Sequence, residues 1–513
     1  MNRLAPMAKG SKNKGVSPSR QEDFPAWFQA VVREGEVAEL AHVRGCMVIR
    51  PWGYAIWELM LAELDRQIKK SGASNAYFPL FIPLSYFESE AKHVEGFAKE
   101  MAVVTHHRLE EDPANPEKLT PGGELSEPLV VRPTSETIIG KSFAKWINSY
   151  RDLPLMLNQW ANVVRWEMRP RVLLRTTEFL WQEGHTAFAT EAEARANTEE
   201  MLEVYRRFAE EFLAMPVLTG EKSEDERFPG ALMTLSIEAM MQDGKALQAG
   251  TSHYLGQNFA KAAEIDFLNK EGERELVHTA SWGVSTRLLG ALIMSHSDDI
   301  GLRLPPTVAP RQVVIVPIPR GEEGPAVLEE AQVLAREIEG LSFKGTEVRV
   351  LADLRDREPP DKRWEWTRKG VPLVLELGPR DLKEGVVALR RRDSNAKPES
   401  IERSRVAELI PSLLDEIQAG YHRAGSERLE ARTRRDINDP DEFREWFDTD
   451  PADASAGGFV RAPWSEAPES AQLLEELKVT VRCLPFDQDL SPDSRCVLTG
   501  KPAVVEAVFA KAY

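Results

Sequence analysis

The stretch Asn162–His185 limits what this chain can fold into more than any other. Val163, Val164, Leu173, Leu174 and Phe179 flank a break at Pro170, a pattern that predicts two strands joined by a loop. Arg165, Arg169, Arg171 and Arg175 crowd that hairpin, and cross-strand pairing with Glu167 and Glu178 cannot absorb four cations. Guanidinium forks match phosphate oxygens in a bidentate way, so the cluster suits a polyphosphate. The simpler alternative is a solvated hairpin carrying surface ion pairs.

At 513 residues the chain has room for about three domains, each with its own core. No apolar run approaches a membrane span, and no signal-peptide core is present. Three cysteines, Cys46, Cys483 and Cys496, make no disulfide framework, which points to a reducing cytoplasm. A net charge of −17 disfavours indiscriminate binding to nucleic acid. Charge is screened beyond about 8–10 Å, however, so a local basic footprint remains open. The arginine hairpin and Arg390–Arg392 are the two candidates for one.

Residues 1–20 carry five basic and no acidic side chains and predict a disordered leader. A helix is predicted from about Gly53 to Lys70, with Ile56, Met60, Leu64 and Ile68 on one stripe and Ser71 and Gly72 as the stop. Ala76–Pro83 reads as an apolar strand that Pro79 and Pro83 confine to an edge, a seam for a homodimer. Residues 108–128, rich in Pro, Gly and Glu, read as a surface loop. Leu129–Glu136 reads as a strand and a turn opening a helix, where Thr134 and Glu136 are caps or ligands. Thr190–Glu193 has capping-box spacing ahead of a long amphipathic helix. In Gln248–His253 a glycine permits close backbone approach. Arg287, at the mouth of the apolar helix Leu288–Met294, needs an anionic partner.

From Gln312 the grammar changes. Strands at Val313–Pro317, Glu347–Leu351 and Leu373–Leu377 alternate with a helix at Pro325–Gly340 and another carrying Arg363, Trp364 and Trp366. That alternation predicts a parallel or mixed sheet in a separate domain. Charged helical segments past Gly420 lead to a small terminal domain.

No Walker loop, dinucleotide glycine motif, zinc-ligand pair or serine-hydrolase elbow occurs. What remains is an apolar Pro-ended strand after a helix, an arginine hairpin, and an arginine opening an apolar helix. That order resembles motifs 1, 2 and 3 of class II aminoacyl-tRNA synthetases. The wording of Tyr77–Pro83, Arg132–Glu136, Thr177–His185 and Gln248–His253 resembles prolyl-tRNA synthetases of the archaeal and eukaryotic type, over about Gln21 to Tyr513. The resemblance implies a class II α+β catalytic domain built on an antiparallel sheet at 21–305. An α/β anticodon-binding domain would follow at 311–420, and a small α+β C-terminal domain at 421–513.

The same resemblance implies activation of L-proline by ATP and transfer to tRNA(Pro), by a cytoplasmic homodimer with no membrane partner. Arg165 and Arg287 would be the catalytic arginines. Arg165 would bridge the proline carboxylate and the ATP α-phosphate, supplying proximity and countering charge at the attacked phosphorus. Thr134 and Glu136 would bind the imino group, His253 would close the same pocket, and Trp181 would wall the ring. Arg165, Glu167, Arg175, Thr176, Phe179, Gln248, Thr251, Ser285 and Arg287 match family contacts to ATP, with Phe179 stacking on adenine. Mg2+ would be held mostly by phosphates and water. Taken without its motif, His253 reads as a buried histidine bonded to backbone.

Arg363, Trp364, Glu365 and Lys369 match the anticodon-binding block. Trp364 and Trp366, two apart on a helix, cannot share a face, so one of them packs inward. Two departures stand out. The span between His185 and the third motif is too short for the editing insertion of many bacterial relatives, so no cis hydrolysis of mischarged alanine is expected. Shape alone separates substrates differing by a methylene only about 10–200-fold. The terminal domain also lacks the family's cysteine set; Cys496 alone cannot hold tetrahedral zinc, and no metal site is expected. A threonyl or glycyl class II enzyme, or a catalytically dead RNA-binding paralogue, are the alternatives.

Overall fold

The computed structural model describes residues 15–88, 100–448 and 457–513. They fall into two compact units. One comprises the described parts of Met1–Val37 and His296–Tyr421, the other those of Ala38–Ser295, His422–Asp450 and Ala456–Tyr513.

In the larger unit a short antiparallel pair, Ala38–Leu40 with Met47–Ile49, precedes α1 (Pro51–Lys70), whose buried Ile56, Met60, Leu64 and Ile68 are the predicted stripe. Pro51 occupies its first turn, where the missing N–H costs nothing, and Lys69 and Lys70 sit at its negative C-terminal end. β1 (Ser74–Asn75) follows. The strand predicted over Ala76–Pro83 is mostly not one, since only β2 (Phe81–Pro83) pairs. Pro79 cannot donate to a ladder, and the preceding backbone is held by side chains instead. Phe78 N donates to Gln159 Oε1 at 2.5 Å, and Arg132 Nη1 donates to Phe78 O at 2.7 Å.

The predicted surface loop at 108–128 is also different. β3 (Ala102–Asp112) and β4 (Asn115–Val131) form a long hairpin, with register shifts at Val104/His106 and Glu111/Asp112. Both faces of its outer half are largely exposed, so the sequence carries no alternation from which strands could be read.

Then come α2 (Glu136–Trp146), β5 (Leu155–Val164), β6 (Glu178–Phe188), α3 (Glu191–Arg207), β7 (Val217–Glu221), β8 (Met233–Met240), β9 (Ala246–Gly256), β10 (His278–Ser285) and α4 (Arg287–His296). The capping box is present: Glu193 N donates to Thr190 Oγ1, and Thr190 N to Glu193 Oε2. The terminal segment adds β11 (Thr433–Arg434), β12 (Phe459–Trp464), β13 (Thr480–Pro485) and β14 (Val505–Ala510).

Among the described residues, eleven strands make one sheet in the order β11-β12-β14-β13-β7-β8-β9-β10-β6-β5-β1. It is antiparallel except at its two outermost pairs. The terminal segment therefore continues the large sheet instead of standing apart, through Leu484↔Glu221 and Pro485↔Gly220. Gly220 permits the join, because a Cβ there would lie 2.4 Å from Leu484 O.

In the smaller unit Val313–Pro317 lies parallel to Val350–Ala352 on one side and Leu373–Leu377 on the other. Val386–Arg391 and Glu399–Glu402 add antiparallel strands, giving the predicted mixed sheet. The strand predicted at Glu347–Leu351 divides: Thr346–Glu347 pairs locally with Ser342–Phe343, and Val350–Ala352 enters the sheet.

The helix Phe24–Glu34 belongs to this unit, not to the large sheet, with Trp27 Nε1 donating to Asp298 O at 3.2 Å. The end of the predicted leader is packed here as well. Val16 N donates to Asp299 O at 2.6 Å, and Arg20 N to Asp299 Oδ1 at 2.8 Å; residues 1–14 lie outside the described residues. Arg390–Arg392 is not an open basic footprint. Arg390 pairs with Glu376 at 2.7 Å, Arg391 with Asp393 at 3.0 Å and Glu416 at 2.7 Å, and buried Arg392 with Asp298 at 2.6 Å.

Candidate active site

β5 and β6 deliver the two ends of the arginine loop to one face of the sheet, and β8–β10 complete the floor. The cleft between them has a cavity volume of about 180 Å³ and is walled by Thr134, Glu136, Arg165, Phe179, Trp181, Gln248, Thr251, His253, Ser285 and Arg287. Every residue expected from the resemblance to hold proline, and most of those expected at ATP, thus share one cavity. Glu167, Arg175 and Thr176 line an adjoining recess that shares Arg165, Phe179, Ser285 and Arg287 with it.

At one end Thr134 Oγ1 donates to Glu136 Oε2, and Ser135, at the N-cap of α2, makes no side-chain cap. Thr134 and Glu136 are therefore paired side chains on the cavity wall, not helix caps. Beside them on the cavity wall lie Glu183 and His185, a polar pair that sequence reasoning missed. Buried Glu183 accepts from Ser135 Oγ at 2.5 Å, from Gln159 Nε2 at 2.8 Å and from His185 Nε2 at 3.0 Å. Burial would raise the Glu183 pKa, but the His185 hydrogen bond and charge and the two other donors bring it below the usual carboxylate range. Burial likewise opposes protonation of His185, yet its bond to Glu183 and the charges of Glu136 and Glu183 raise its pKa. The two shifts favour the charged form of each partner, in a pair that lines the cavity itself. Alternation along β6 was the available signal, because Glu183 and His185 share a face.

His253 faces the same end. Its Nδ1 lies 3.0 Å from Thr234 Oγ1, so its partner is a side chain and not backbone. Burial, then the nearby His185 charge, push its pKa down to about 3. A neutral imidazole adds no positive charge where a cation would bind. Phe228 packs on it with ring centroids 4.7 Å apart and is a further wall residue that sequence reasoning did not select.

The other end is cationic. Arg165 Nε donates to Pro133 O at 2.9 Å, and its guanidinium carbon sits 5.4 Å from the Trp181 ring and 5.8 Å from that of Phe179. Burial lowers its pKa, against the charges of Glu136, Glu100 and Glu183. Arg287 Nε donates to Leu174 O at 3.2 Å. Burial brings its pKa down to about 10, with Arg175 and Arg165 adding repulsion. Arg175 is largely exposed and 3.6 Å from Glu167, a weak tether. Three guanidinium groups repelling one another around a recess are the arrangement an anion of high charge stabilises. Arg169 and Arg171 are exposed on the loop outside it.

Glycine shapes the wall. A Cβ on Gly184 would fall 2.2 Å from the ring of its cross-strand partner Trp282, which is buried and lines the cavity. Gly250 similarly allows Val284 Cγ1 to approach to 2.9 Å of a Cβ position.

In the smaller unit, Arg363 pairs with Glu376 at 2.7 Å, and Glu365 pairs with Arg355 at 3.2 Å and Lys369 at 3.0 Å. Trp366 is the inward tryptophan, with Nε1 donating to Asp353 Oδ2 at 2.8 Å. Trp364 is half-buried beneath Arg368, whose guanidinium carbon is 5.3 Å from its ring. In the terminal segment Cys483 and Cys496 are buried thiols, and among the described residues no group of three or more His, Cys, Asp or Glu is placed to hold a metal ion.

Comparison with known proteins agrees with this geometry. Residues 121–296 match the family "tRNA synthetase class II core domain (G, H, P, S and T)", and residues 312–413 match "Anticodon binding domain". The antiparallel sheet with its arginine-lined cavity is that of a class II aminoacyl-tRNA synthetase. Residues 450–513 match "Prolyl-tRNA synthetase, C-terminal". Curated relatives called proline–tRNA ligase include one from Paramagnetospirillum magneticum, 54% identical over 98% of this chain and 99% of that one. Others come from Protochlamydia amoebophila (53%, 99% and 100%) and Bdellovibrio bacteriovorus (52%, 97% and 99%). The chain belongs to the prolyl-tRNA synthetase family. These relatives are bacterial, so what the comparisons carry is the family and not an archaeal or eukaryotic subtype.

Proposed function

We propose that this cavity joins L-proline to ATP as prolyl-adenylate and then charges tRNA(Pro), the chain acting as a proline–tRNA ligase. One observation carries the reading: a single cavity has carboxylate and hydroxyl groups at one end and Arg165 and Arg287 at the other, with Arg175 in the recess that adjoins it. Zwitterionic proline fits between them. Its imino cation meets Glu136 and Thr134 beside neutral His253, its ring lies against Trp181, and its carboxylate faces Arg165. There a carboxylate oxygen bonds to the α-phosphorus as the bond to pyrophosphate breaks. Arg165 orients both reactants and counters the developing charge, which is work of positioning more than of acid–base chemistry. Glu167, Arg175, Thr176, Phe179, Gln248, Thr251, Ser285 and Arg287 take the nucleotide. Bound Mg2+ would neutralise the triphosphate, carried mainly by phosphate oxygens and water.

In this reading the catalytic domain is that of residues 21–305, apart from the stretches up to Val37 and from His296 on that pack in the smaller unit, with the anticodon-binding domain at 311–420 and the terminal domain at 421–513. Arg363, Trp364, Glu365 and Lys369 face the anticodon, and Arg169 and Arg171 the acceptor end. In this reading no editing insertion interrupts the catalytic domain; residues 186–280 are all described and belong to the larger unit. That supports the insertion-free architecture. Exposed Tyr77, Phe81 and Val103 near the β2–β3 region support a homodimer seam. Three free cysteines, and the absence among the described residues of any helix long and apolar enough to cross a membrane, support a cytoplasmic site of action. ATP–pyrophosphate exchange with single amino acids tests the reading. Exchange with proline alone is expected, and exchange with threonine but not proline would sink it.

A further inference from the structure

Where β13 meets β7 and β8, three charged side chains are buried together. Lys222 Nζ donates to Glu238 Oε1 at 2.7 Å, and Arg482 donates to Glu238 Oε2 through Nε at 3.1 Å and Nη2 at 2.9 Å. Ser236 Oγ adds a bond to Oε1 at 3.2 Å, and Lys222 Nζ also donates to Arg482 O at 2.6 Å. Glu238 is fully buried, and its carboxylate has every donor it needs, so the cluster is rigid and carries one net positive charge. None of these residues lines the cavity, and catalysis as described above does not use them.

Their placement connects them to it. Glu238 pairs with Gln248 across β8 and β9, which puts the two side chains on one face of the sheet. Beside that pair a β-bulge leaves Ala249 unmatched between Gln248 and Gly250, and bulges re-aim the side chains next to them. Gln248 and Thr251 then reach the cavity. Arg287 feels the same cluster: the charge of Glu238 supports its protonation, and that of Arg482 opposes it.

We propose that Arg482, supplied by the terminal segment, is a positioning residue for the ATP end of the cavity. From the same face of the sheet, outside the cavity lining, it pins Glu238, fixes the bulge that presents Gln248 and Thr251, and keeps the carboxylate's charge from being spent on Arg287. With Arg482 gone, Glu238 keeps Lys222 and Ser236, but the cluster loses its net positive charge, which lowers the positive potential that meets the triphosphate. The proline end, built on Thr134, Glu136 and His253, is untouched. The inference rests on the reading of this cavity as the ATP site.

The test is steady-state pyrophosphate exchange on the full-length chain with Arg482→Met and Arg482→Lys. Arg461→Met serves as control, because Arg461 pairs with Glu506 at 2.7 Å and Asp487 at 3.0 Å, both inside the terminal segment. Arg482→Met should raise KM for ATP about tenfold, the scale of one partly buried charge interaction, and leave KM for proline within about twofold. Arg482→Lys, which keeps the charge and loses the two-point grip, should fall between wild type and Arg482→Met. Arg461→Met should leave the ratio of the two KM values unchanged at matched thermal stability. Equal rises in both KM values, or the same ATP defect in Arg461→Met, would overturn the inference by reducing Arg482 to a fold-holding role. Should Arg482→Met fail to fold, Arg482→Lys with a wild-type KM for ATP would overturn it alone. Wild-type enzyme without proline-dependent exchange would instead sink the functional reading, and this inference with it.

Discussion

Gly184→Ala tests the cavity wall with one methyl group. The new Cβ would sit 2.2 Å from Trp282 Cη2 and Cζ3 and 2.3 Å from Cδ2, where ordinary contact begins near 3.4 Å. The indole would have to retreat by roughly 1.2 Å, the gap between those distances. It has nowhere free to go, being buried at 1% exposure in the strand next to β6. Overpacking of this kind costs about 1–3 kcal/mol. The larger effect is geometric, because Trp282 and its neighbours Ser281 and Gly283 line the cavity. A misplacement of about 1 Å at reacting groups costs on the order of 100-fold in rate. Proline-dependent pyrophosphate exchange should therefore fall about 100-fold while thermal unfolding shifts by only a few degrees. The decisive variant is the double substitution Gly184→Ala with Trp282→Leu, which removes the clashing ring. It should exchange better than Gly184→Ala alone, a coupling that only direct contact produces. A single variant within about twofold of wild type, or a double variant no better than the single, would show that this contact does not set the wall.

Further tests address the charges. Arg165→Ala should lower exchange at least about 100-fold while tRNA binding by filter retention stays near wild type; intact exchange would mean that the catalytic arginine has been misplaced. His253, held down at about 3, stays neutral from pH 8 to pH 5, so KM for proline should show no acid limb from this residue. An inflection near pH 6.5 that vanishes in His253→Asn would contradict this. The Glu183–His185 pair makes a two-sided prediction for stability. Glu183, lowered from 4.5, contributes stability above that value that is lost as pH falls through its folded pKa. His185, raised from 6.5, contributes fully below 6.5 and loses its share as pH rises through its folded pKa. The melting-temperature gap between wild type and Glu183→Gln/His185→Gln should be widest between about pH 4.5 and 6.5 and narrow on both sides. A gap independent of pH would show that the pair is not ionised.

Much of the site was legible because its chemistry is local in sequence. Arg165, Arg175, Thr134 and Glu136 lie within a few residues of a strand end or turn, and the strands that deliver them alternate or carry proline in readable ways. Glu183 and His185 went unselected because nothing in β6 distinguishes a buried ion pair from half-exposed polar residues until Ser135 and Gln159 are brought against it. The hairpin β3–β4 was read as a loop because strands exposed on both faces have no hydrophobic period. Arg390–Arg392 looked like a patch because their partners Glu376, Glu416 and Asp298 are distant in sequence. The junction of the terminal segment with the catalytic sheet rests on backbone pairing at Gly220, which composition does not reveal.

That junction also bears on synthesis. Arg482 reaches Glu238 from 244 residues further along the chain. While the nascent polypeptide grows, β7 therefore waits as an open sheet edge, and Glu238 waits beside Lys222 without its second cation. Unpaired edges invite association with other chains. A ribosome stalled before residue 480 would hold a catalytic unit whose sheet is unclosed and whose cavity floor is unpinned. The strands of the terminal segment thus cover the sheet edge at β7 and bring Glu238 its second cation in one step.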